Sequence, residues 1–308
     1  MNKTLKIISN IFLFLLITGF GAYMVHSVVS EREAVQPNAT NEADELVSPY
    51  KKTNSFDVLS EIVCFDLYDD SIFVALSNSI SVYNLLGKQL RDFAIEDGVR
   101  DMVVENGTVW LLYPTQIDQY SLDGEKRGGW EACSDQSDYC AITTTQEFVF
   151  VTDAANKNIV QYDKEGRLVR FIKSPQGFVI PSYAFDILSI NDTLYCANSG
   201  RHQIECYTLD GVFIASFGSA GTQAGAFAGC CNPVYLASGP KGDILTSEKG
   251  LPHISSWSRE GQFREVLLDS RSLGGGTAAY KVRVSGEHLY IAGKKTISIF
   301  FYEETQPK

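Results

Sequence analysis

The feature that most constrains the fold of this 308-residue chain is one short pattern that occurs six times, an isoleucine three residues before an aromatic side chain. The pairs are Ile80 with Tyr83, Ile117 with Tyr120, Ile159 with Tyr162, Ile204 with Tyr207, Ile254 with Trp257 and Ile297 with Phe300. Successive copies lie 37 to 50 residues apart, and a strand-like apolar run precedes each copy. Repeats of this length predict an all-β fold, a six-bladed β-propeller in which each repeat supplies one blade.

The clearest copy spans residues 183–233 and reads as four short strands. Its apolar runs occupy residues 185–190, 194–197, 204–207 and 212–217. A polar turn and an Asp-Gly turn separate the later runs, and strands joined in this way form the meander of a propeller blade.

Within this copy, the segment LYCANSGRHQI at residues 194–204 resembles the NHL-repeat family. That family has a valine- and tyrosine-rich strand here, then an acidic or amide residue, Ser-Gly and an Arg-Ile pair, although Arg201 and His202 depart from its usual Asn-His-Arg order. The resemblance continues at Asp210, Gly211, Phe217, Gly218 and Pro233. It covers about one blade closely, and it implies an NHL-like propeller that binds proteins, nucleic acids or small molecules.

The last copy ends close to the end of the sequence, with few residues left for a fourth strand. An open array of blades would expose two unpaired sheet edges, so the ring is expected to close. We therefore predict a propeller over residues 55–308 whose final blade takes its fourth strand from residues 55–62.

Residues 7–29 form an apolar run without charged side chains, which Lys3 and Lys6 precede. The run is long enough to span a bilayer, and the charge before it predicts a cytoplasmic N-terminus and a propeller outside the cytoplasm, in the periplasm or at the cell surface. We expect a transmembrane signal anchor at residues 1–30 and a polar linker at 31–54. A cleaved signal peptide is the open alternative.

The formal net charge of the chain is −11 at pH 7. A surface of this sign repels phosphate backbones, which argues against a nucleic-acid partner. The expected partners are the membrane, through the N-terminal helix, and a protein or small-molecule ligand on the propeller.

The seven cysteines fall in or beside the loops that surround one mouth of the propeller channel. They are Cys64, Cys133, Cys140, Cys196, Cys206, Cys230 and Cys231. All seven are expected toward one face, and a non-cytoplasmic location favours disulfides, of Cys196 with Cys206 across a hairpin and of Cys133 with Cys140.

The adjacent cysteines Cys230 and Cys231 leave three alternatives open. They pair separately with distant cysteines such as Cys64, form a redox-active vicinal disulfide, or supply thiolates to a soft metal such as copper or zinc. The histidines expected on the same face are His202 and His253.

The same face holds the residues that we single out as candidate ligand contacts. These are Cys230, Cys231, Asn232, Glu248, Lys249, Arg201 and His202. Glu248 and Lys249 interrupt the blade pattern in a turn that is expected to project over the channel, where the carboxylate suits a general base and the ammonium an anion contact. The alternative is a solvated Glu-Lys pair.

Three aspartates, Asp66, Asp101 and Asp186, begin the innermost strands of their blades, and the sixth copy has Arg283 there. Carboxylates that ring a channel suit a divalent cation such as calcium or magnesium. In the alternative, each carboxylate accepts backbone N–H groups at a blade junction or pairs with Arg100 or Arg283.

No complete catalytic motif occurs in the sequence, so no catalytic residue is assigned and no cofactor is required. We predict a membrane-anchored binding module whose cysteine-bearing face holds a protein or ligand. The alternatives are a redox or metal-handling protein that uses Cys230 and Cys231, and a divalent-ion-dependent lyase or hydrolase.

Overall fold

The computed structural model describes residues 48–303, which form a six-bladed β-propeller of six four-stranded antiparallel sheets. Three short 3-10 helices interrupt the loops, at Pro181–Tyr183, Ser199–Arg201 and Pro240–Gly242. Within residues 48–303 no helix is long and apolar enough to cross a membrane. The predicted anchor at residues 1–30, and the linker up to residue 47, lie outside the described residues.

Five blades are each built from consecutive strands, and they follow strand β1 (Tyr50–Asp57) in the chain. Blade one is β2 (Cys64–Tyr68), β3 (Ser71–Ala75), β4 (Ser79–Asn84) and β5 (Gln89–Ala94). Blade two is β6 (Asp101–Glu105), β7 (Thr108–Leu112), β8 (Gln116–Ser121) and β9 (Lys126–Glu131). Blade three is β10 (Tyr139–Thr144), β11 (Phe148–Asp153), β12 (Asn158–Asp163) and β13 (Leu168–Ile172).

The remaining blades follow the same order from the channel outward. Blade four is β14 (Ile187–Ile190), β15 (Thr193–Asn198), β16 (Gln203–Thr208) and β17 (Phe213–Phe217). Blade five is β18 (Tyr235–Ser238), β19 (Ile244–Ser247), β20 (Ile254–Trp257) and β21 (Phe263–Leu268). Blade six is β22 (Lys281–Ser285), β23 (His288–Ala292), β24 (Thr296–Tyr302) and, outermost, β1. We call the end that carries the loops between blades, and the turns between second and third strands, the upper end.

The final blade is mixed, as predicted, because β1 pairs with β24 along its length, from Tyr50 opposite Tyr302 to Asp57 opposite Thr296. This strand begins at Tyr50, whereas the sequence analysis placed it within residues 55–62 and assigned the preceding residues to the linker. The difference has a physical reason. An outermost strand is solvent-exposed on most of its length, as β1 is, so it needs no apolar run and its polar sequence resembles a linker.

The residues of the six-fold sequence pattern pack between neighbouring blades. Side chains of a strand alternate between its two faces, so the isoleucine and the aromatic three residues later point to opposite sides of their blade. Each isoleucine shares an apolar cluster with the aromatic of the next blade: Ile80 with Tyr120, Ile117 with Tyr162, Ile159 with Tyr207, Ile204 with Trp257, Ile254 with Phe300 and Ile297 with Tyr83. All of these side chains are buried. The last pair joins blade six to blade one and closes the ring.

Glycine turns make a second contact between blades. Gly261 has φ of +83°, and a Cβ on it would lie 2.3 Å from the Cγ of Phe217, on the outer strand of the preceding blade. Gly124 approaches Phe93 in the same way, with φ of +89° and the same 2.3 Å. The glycines that follow the sequence repeat therefore leave room for a side chain of the neighbouring blade.

Replacing Ile204 by alanine is expected to lower the free energy of unfolding by about 2–5 kcal/mol, because it opens a cavity at the junction of blades four and five. The matched control is Ile214→Ala in the same blade, where the side chain is exposed. Its expected effect is within about 0.5 kcal/mol. Urea unfolding of both variants measures the difference, and equal losses would contradict the assignment of Ile204 to the junction.

Candidate functional site

The two adjacent cysteines lie in the loop between β17 and β18 at the upper end. Their sulfur atoms are 3.2 Å apart, with Cys230 exposed and Cys231 buried. Within residues 48–303 all seven cysteines are free thiols. Neither cysteine of the pair is therefore bridged to Cys64 or to its neighbour in this structure.

The two thiols differ in acidity. Burial raises the pKa of the Cys231 thiol, but hydrogen bonds with Lys249, Cys230 and Ser182, together with the charge of Lys249, outweigh it and hold that pKa below its usual value. The hydrogen bond with Cys231 raises the pKa of Cys230. The first proton is therefore lost from the buried thiol, and Lys249 balances the resulting charge.

Asn232 fixes the backbone of Lys249 beside this pair. Its Oδ1 accepts a hydrogen bond from the Lys249 N–H at 2.9 Å, and its Nδ2 donates to the carbonyls of Lys249 at 3.0 Å and Ala228 at 2.6 Å. The side chain is 1% exposed. Asn232, a predicted ligand contact, is therefore positioned to hold the loop in shape.

Glu248 does not project over the channel as the sequence analysis expected, because it is buried. It directly follows the end of β19 at Ser247, and its Oε1 lies 2.9 Å from Nε2 of His253. Burial lowers the pKa of His253, but the hydrogen bond and charge of Glu248 outweigh this and raise it. The predicted Glu-Lys pair is thus divided, since Lys249 faces the thiols and Glu248 faces a histidine.

Arg201 and His202 lie in the turn between β15 and β16. The Arg201 guanidinium donates to the carbonyl of Gly177 at 2.9 Å and to Gln176, so it binds the loop that precedes blade four. His202 adopts φ of +56° where the short helix ends. Asn198, the amide residue of the NHL-like segment, accepts from the N–H of Val179 at 2.9 Å. The contacts of Asn198 and Arg201 thus hold a neighbouring loop.

The predicted hairpin disulfide between Cys196 and Cys206 is wrong. Cys196 lies opposite Glu205 and Cys206 opposite Tyr195, so the two thiols point to different faces of blade four. Cys196 packs between blades three and four, and Cys206 between blades four and five. Cys133 contacts the Tyr139 hydroxyl at 3.8 Å, while Cys140 donates to the carbonyl of Asp138 at 3.6 Å.

The channel side chains form two levels along the innermost strands, because the strand register aligns equivalent positions. The level nearer the upper end consists of Cys64, Asp101, Ala141, Asp186, Tyr235 and Lys281. The next level, two residues further along each strand, consists of Asp66, Val103, Thr143, Leu188, Ala237 and Arg283. The prediction that the three aspartates are equivalent is therefore wrong for Asp66, which aligns with Arg283, and the sequence analysis missed Lys281.

Each of these aspartates accepts a backbone N–H from the next blade. Asp66 accepts from Val104 at 2.8 Å and Asp101 from Ile142 at 3.1 Å. In the same way, Asp186 accepts from Leu236 at 2.7 Å. The carboxylates thus satisfy N–H groups at the exposed inner edge of the sheets, which was the structural alternative.

Two of the three carboxylates also form ion pairs with cations of blade six. Arg283 Nε lies 2.7 Å from Asp66, and Lys281 Nζ lies 2.5 Å from Asp101. Arg100, the other predicted partner, pairs with Asp138 instead. The described part of the chain contains no group of three or more His, Cys, Asp or Glu side chains arranged to hold a metal ion.

The channel encloses a cavity of about 290 Å³ between these two levels. It meets a cavity of about 320 Å³ at the upper mouth, with Tyr235 and Lys281 lining both. Toward the lower end it meets a third of about 490 Å³, with Glu105, Thr144 and Ser189 lining both. The three cavities therefore adjoin one another through shared lining residues.

No protein-family model and no curated protein matches the sequence. Among solved structures, virginiamycin B lyase of Staphylococcus aureus is similar, with 15% identity, a TM-score of 0.60, and coverage of 82% of this chain and 99% of that chain. A Bacteroides thetaiotaomicron protein of unknown function has 11% identity, a TM-score of 0.60, and coverage of 82% and 74%. The Pan2 WD40 domain of Neurospora crassa has 8% identity, a TM-score of 0.55, and coverage of 84% and 97%. These similarities show the propeller fold, and the finer assignment to the NHL family stays a prediction.

Proposed function

We propose that this protein is a binding module that holds a protein partner at its upper end. The surface that we assign to this role, called the thiol face, consists of Arg100, Tyr183, Cys230, Cys231, Lys249 and Leu251. The propeller fold supports a binding role, because its rigid blades present loops at the channel mouth. The similarity to a lyase concerns the fold alone, so we infer no lyase activity from it.

One observation carries this proposal, the exposure of two large apolar side chains beside the thiol pair. Tyr183 is 63% exposed and Leu251 is 74% exposed. Ser182, next to Tyr183, and Lys249, two residues before Leu251, both contact Cys231. Tyrosine and arginine are enriched in interface hot spots, and here Arg100 lies over the ring of Tyr183, with Leu251 adding exposed apolar surface.

The loops around these anchors are held in place before a partner arrives. Arg100 lies over the Tyr183 ring at 5.8 Å, and Asp138 fixes the guanidinium. On the other side of the thiol pair, Asn232 holds the Lys249 backbone. Such preorganisation favours association, because fewer side chains lose freedom on binding.

Photo-crosslinking in cells tests the proposal. A benzophenone amino acid in place of Leu251 is expected to form an adduct with a discrete protein, and Tyr183→Ala is expected to suppress it. The matched control is the same probe in place of Leu86, which is 77% exposed in the turn between β4 and β5 at the lower end. Similar adducts from both positions, or an adduct that Tyr183→Ala does not change, would overturn the assignment.

A second candidate function is redox or soft-metal chemistry at Cys230 and Cys231. The observation that favours it is the 3.2 Å separation of the two sulfur atoms, with Lys249 stabilising the thiolate of Cys231. A thiolate beside a thiol supports either disulfide exchange or coordination of a thiophilic ion.

The ultraviolet absorbance of the thiolate, followed against pH and taken as the difference from Cys231→Ser, measures this acidity without requiring access to the buried sulfur. Lys249→Met is expected to shift this pH profile to higher pH, because the thiolate loses its cationic partner. Lys241→Met, at an exposed lysine in the loop between β18 and β19, is the control. Superimposable pH profiles for the wild type and Lys249→Met would refute a role of Lys249 in activating the thiol.

We further propose that residues 7–29 anchor the protein and that the propeller lies outside the cytoplasm. The apolar run and the lysines before it support this topology. Cys133 is an exposed thiol outside the thiol face, so a membrane-impermeant maleimide is expected to label it in intact cells. Cys133→Ser identifies the labelled site. Labelling of Cys133 only after lysis would place the propeller in the cytoplasm.

A further inference from the structure

The axial channel holds a set of charges that does not balance. At its two levels, three carboxylates face two cations: Asp66, Asp101, Asp186, Lys281 and Arg283 all line the 290 Å³ cavity. Arg283 is paired with Asp66 and Lys281 with Asp101. No described side chain lies within ion-pair distance of Asp186, so the charge of its carboxylate is unpaired.

The environment of Asp186 is unfavourable for that charge. Among the described residues, its carboxylate accepts the backbone N–H groups of Leu236 at 2.7 Å and of Ile187 at 3.0 Å. Burial raises the pKa of Asp186 to about 6, against the opposing charge of Lys281. The raised pKa means that the ionised form is destabilised, and a cation beside Asp186 would relieve the cost of its buried charge.

The space beside Asp186 is larger than a bare ion requires. The cavity at its level shares lining residues with the 490 Å³ cavity below, whose lining includes Glu105, Glu147 and Asp192. Glu105 is paired with Lys164 at 3.1 Å, whereas Glu147 and Asp192 are exposed at the rim. The lower opening thus presents negative potential to an entering cation.

The length of the channel sets the shape of the occupant. Asp186 shares its level with Asp101, and Glu105 lies four residues beyond Asp101 on β6. Four residues of extended strand span about 13 Å. Below the level of Asp186, the hydroxyl groups of Thr143 and Ser189 lie 3.0 Å from each other and offer polar contacts along the wall.

We propose that the axial channel binds a small organic amine, whose primary ammonium group pairs with Asp186 and whose chain extends toward the lower opening. The positive charge completes the balance of the upper level, and the hydroxyl groups contact the chain. This site is separate from the thiol face, so the proposal does not depend on the proposed function.

Isothermal titration of the full-length protein with 1,4-diaminobutane at pH 7.5 tests this. One-to-one binding is expected at physiological salt, together with no binding of the neutral isostere 1,4-butanediol. Asp186→Asn keeps an oxygen for the Leu236 N–H but removes the charge, and it is expected to weaken binding by about tenfold or more. Asp192→Asn, which removes an exposed rim charge, is the control and is expected to change the affinity by less than about threefold.

Several results would overturn the proposal. They are absence of binding to the wild type, equal binding of the diol, unchanged affinity in Asp186→Asn, or equal losses in Asp186→Asn and Asp192→Asn. Binding in a salt-free buffer that physiological sodium or potassium abolishes would also overturn it, because the site would then hold an inorganic ion. Unfolding midpoints of both variants, measured in parallel, show that any loss of binding occurs in folded protein.

Discussion

The structure depends on one repeated contact, a buried isoleucine of each blade in the same apolar cluster as a buried aromatic of the next. A propeller has no single central core, so stability is distributed over six junctions and the loss of one weakens the closed ring. The strand from the start of the described chain completes the sixth blade by pairing with β24. Without it, the outer edge of β24 would be unpaired.

The same packing decides what remains for function. The apolar side chains fill the junctions, so the polar side chains of the innermost strands collect along the axis. The backbone N–H groups of these innermost strands face the channel, and aspartates of the preceding blade accept hydrogen bonds from several of them. The carboxylates of the channel thus bind backbone N–H groups at the inner edges of the sheets. The negative charge of Asp186, which has no ion-pair partner among the described side chains, remains available to a ligand.

The number of blades and the closure of the ring could be predicted from the sequence, because few other folds bury an apolar pattern that is repeated six times. The candidate site was harder to predict. Glu248 is buried beside His253 and Lys249 faces the thiols, and a charged pair in a turn does not reveal this division. Asp66 and Asp101 lie at different levels because register depends on pairing with the second strand, which a short motif does not encode. Lys281 was missed because a lone lysine carries no signal until the register aligns it with Asp101.

The central claim is that the thiol face is covered by a partner in the cell, and thiol footprinting tests it most directly. The measurement compares the alkylation rate of Cys230 with that of Cys133, both exposed, in intact cells and in the purified protein. We predict that Cys230 is protected in cells and becomes reactive on purification, while the accessibility of Cys133 stays the same. Equal ratios of the two rates in cells and in the purified protein would contradict it.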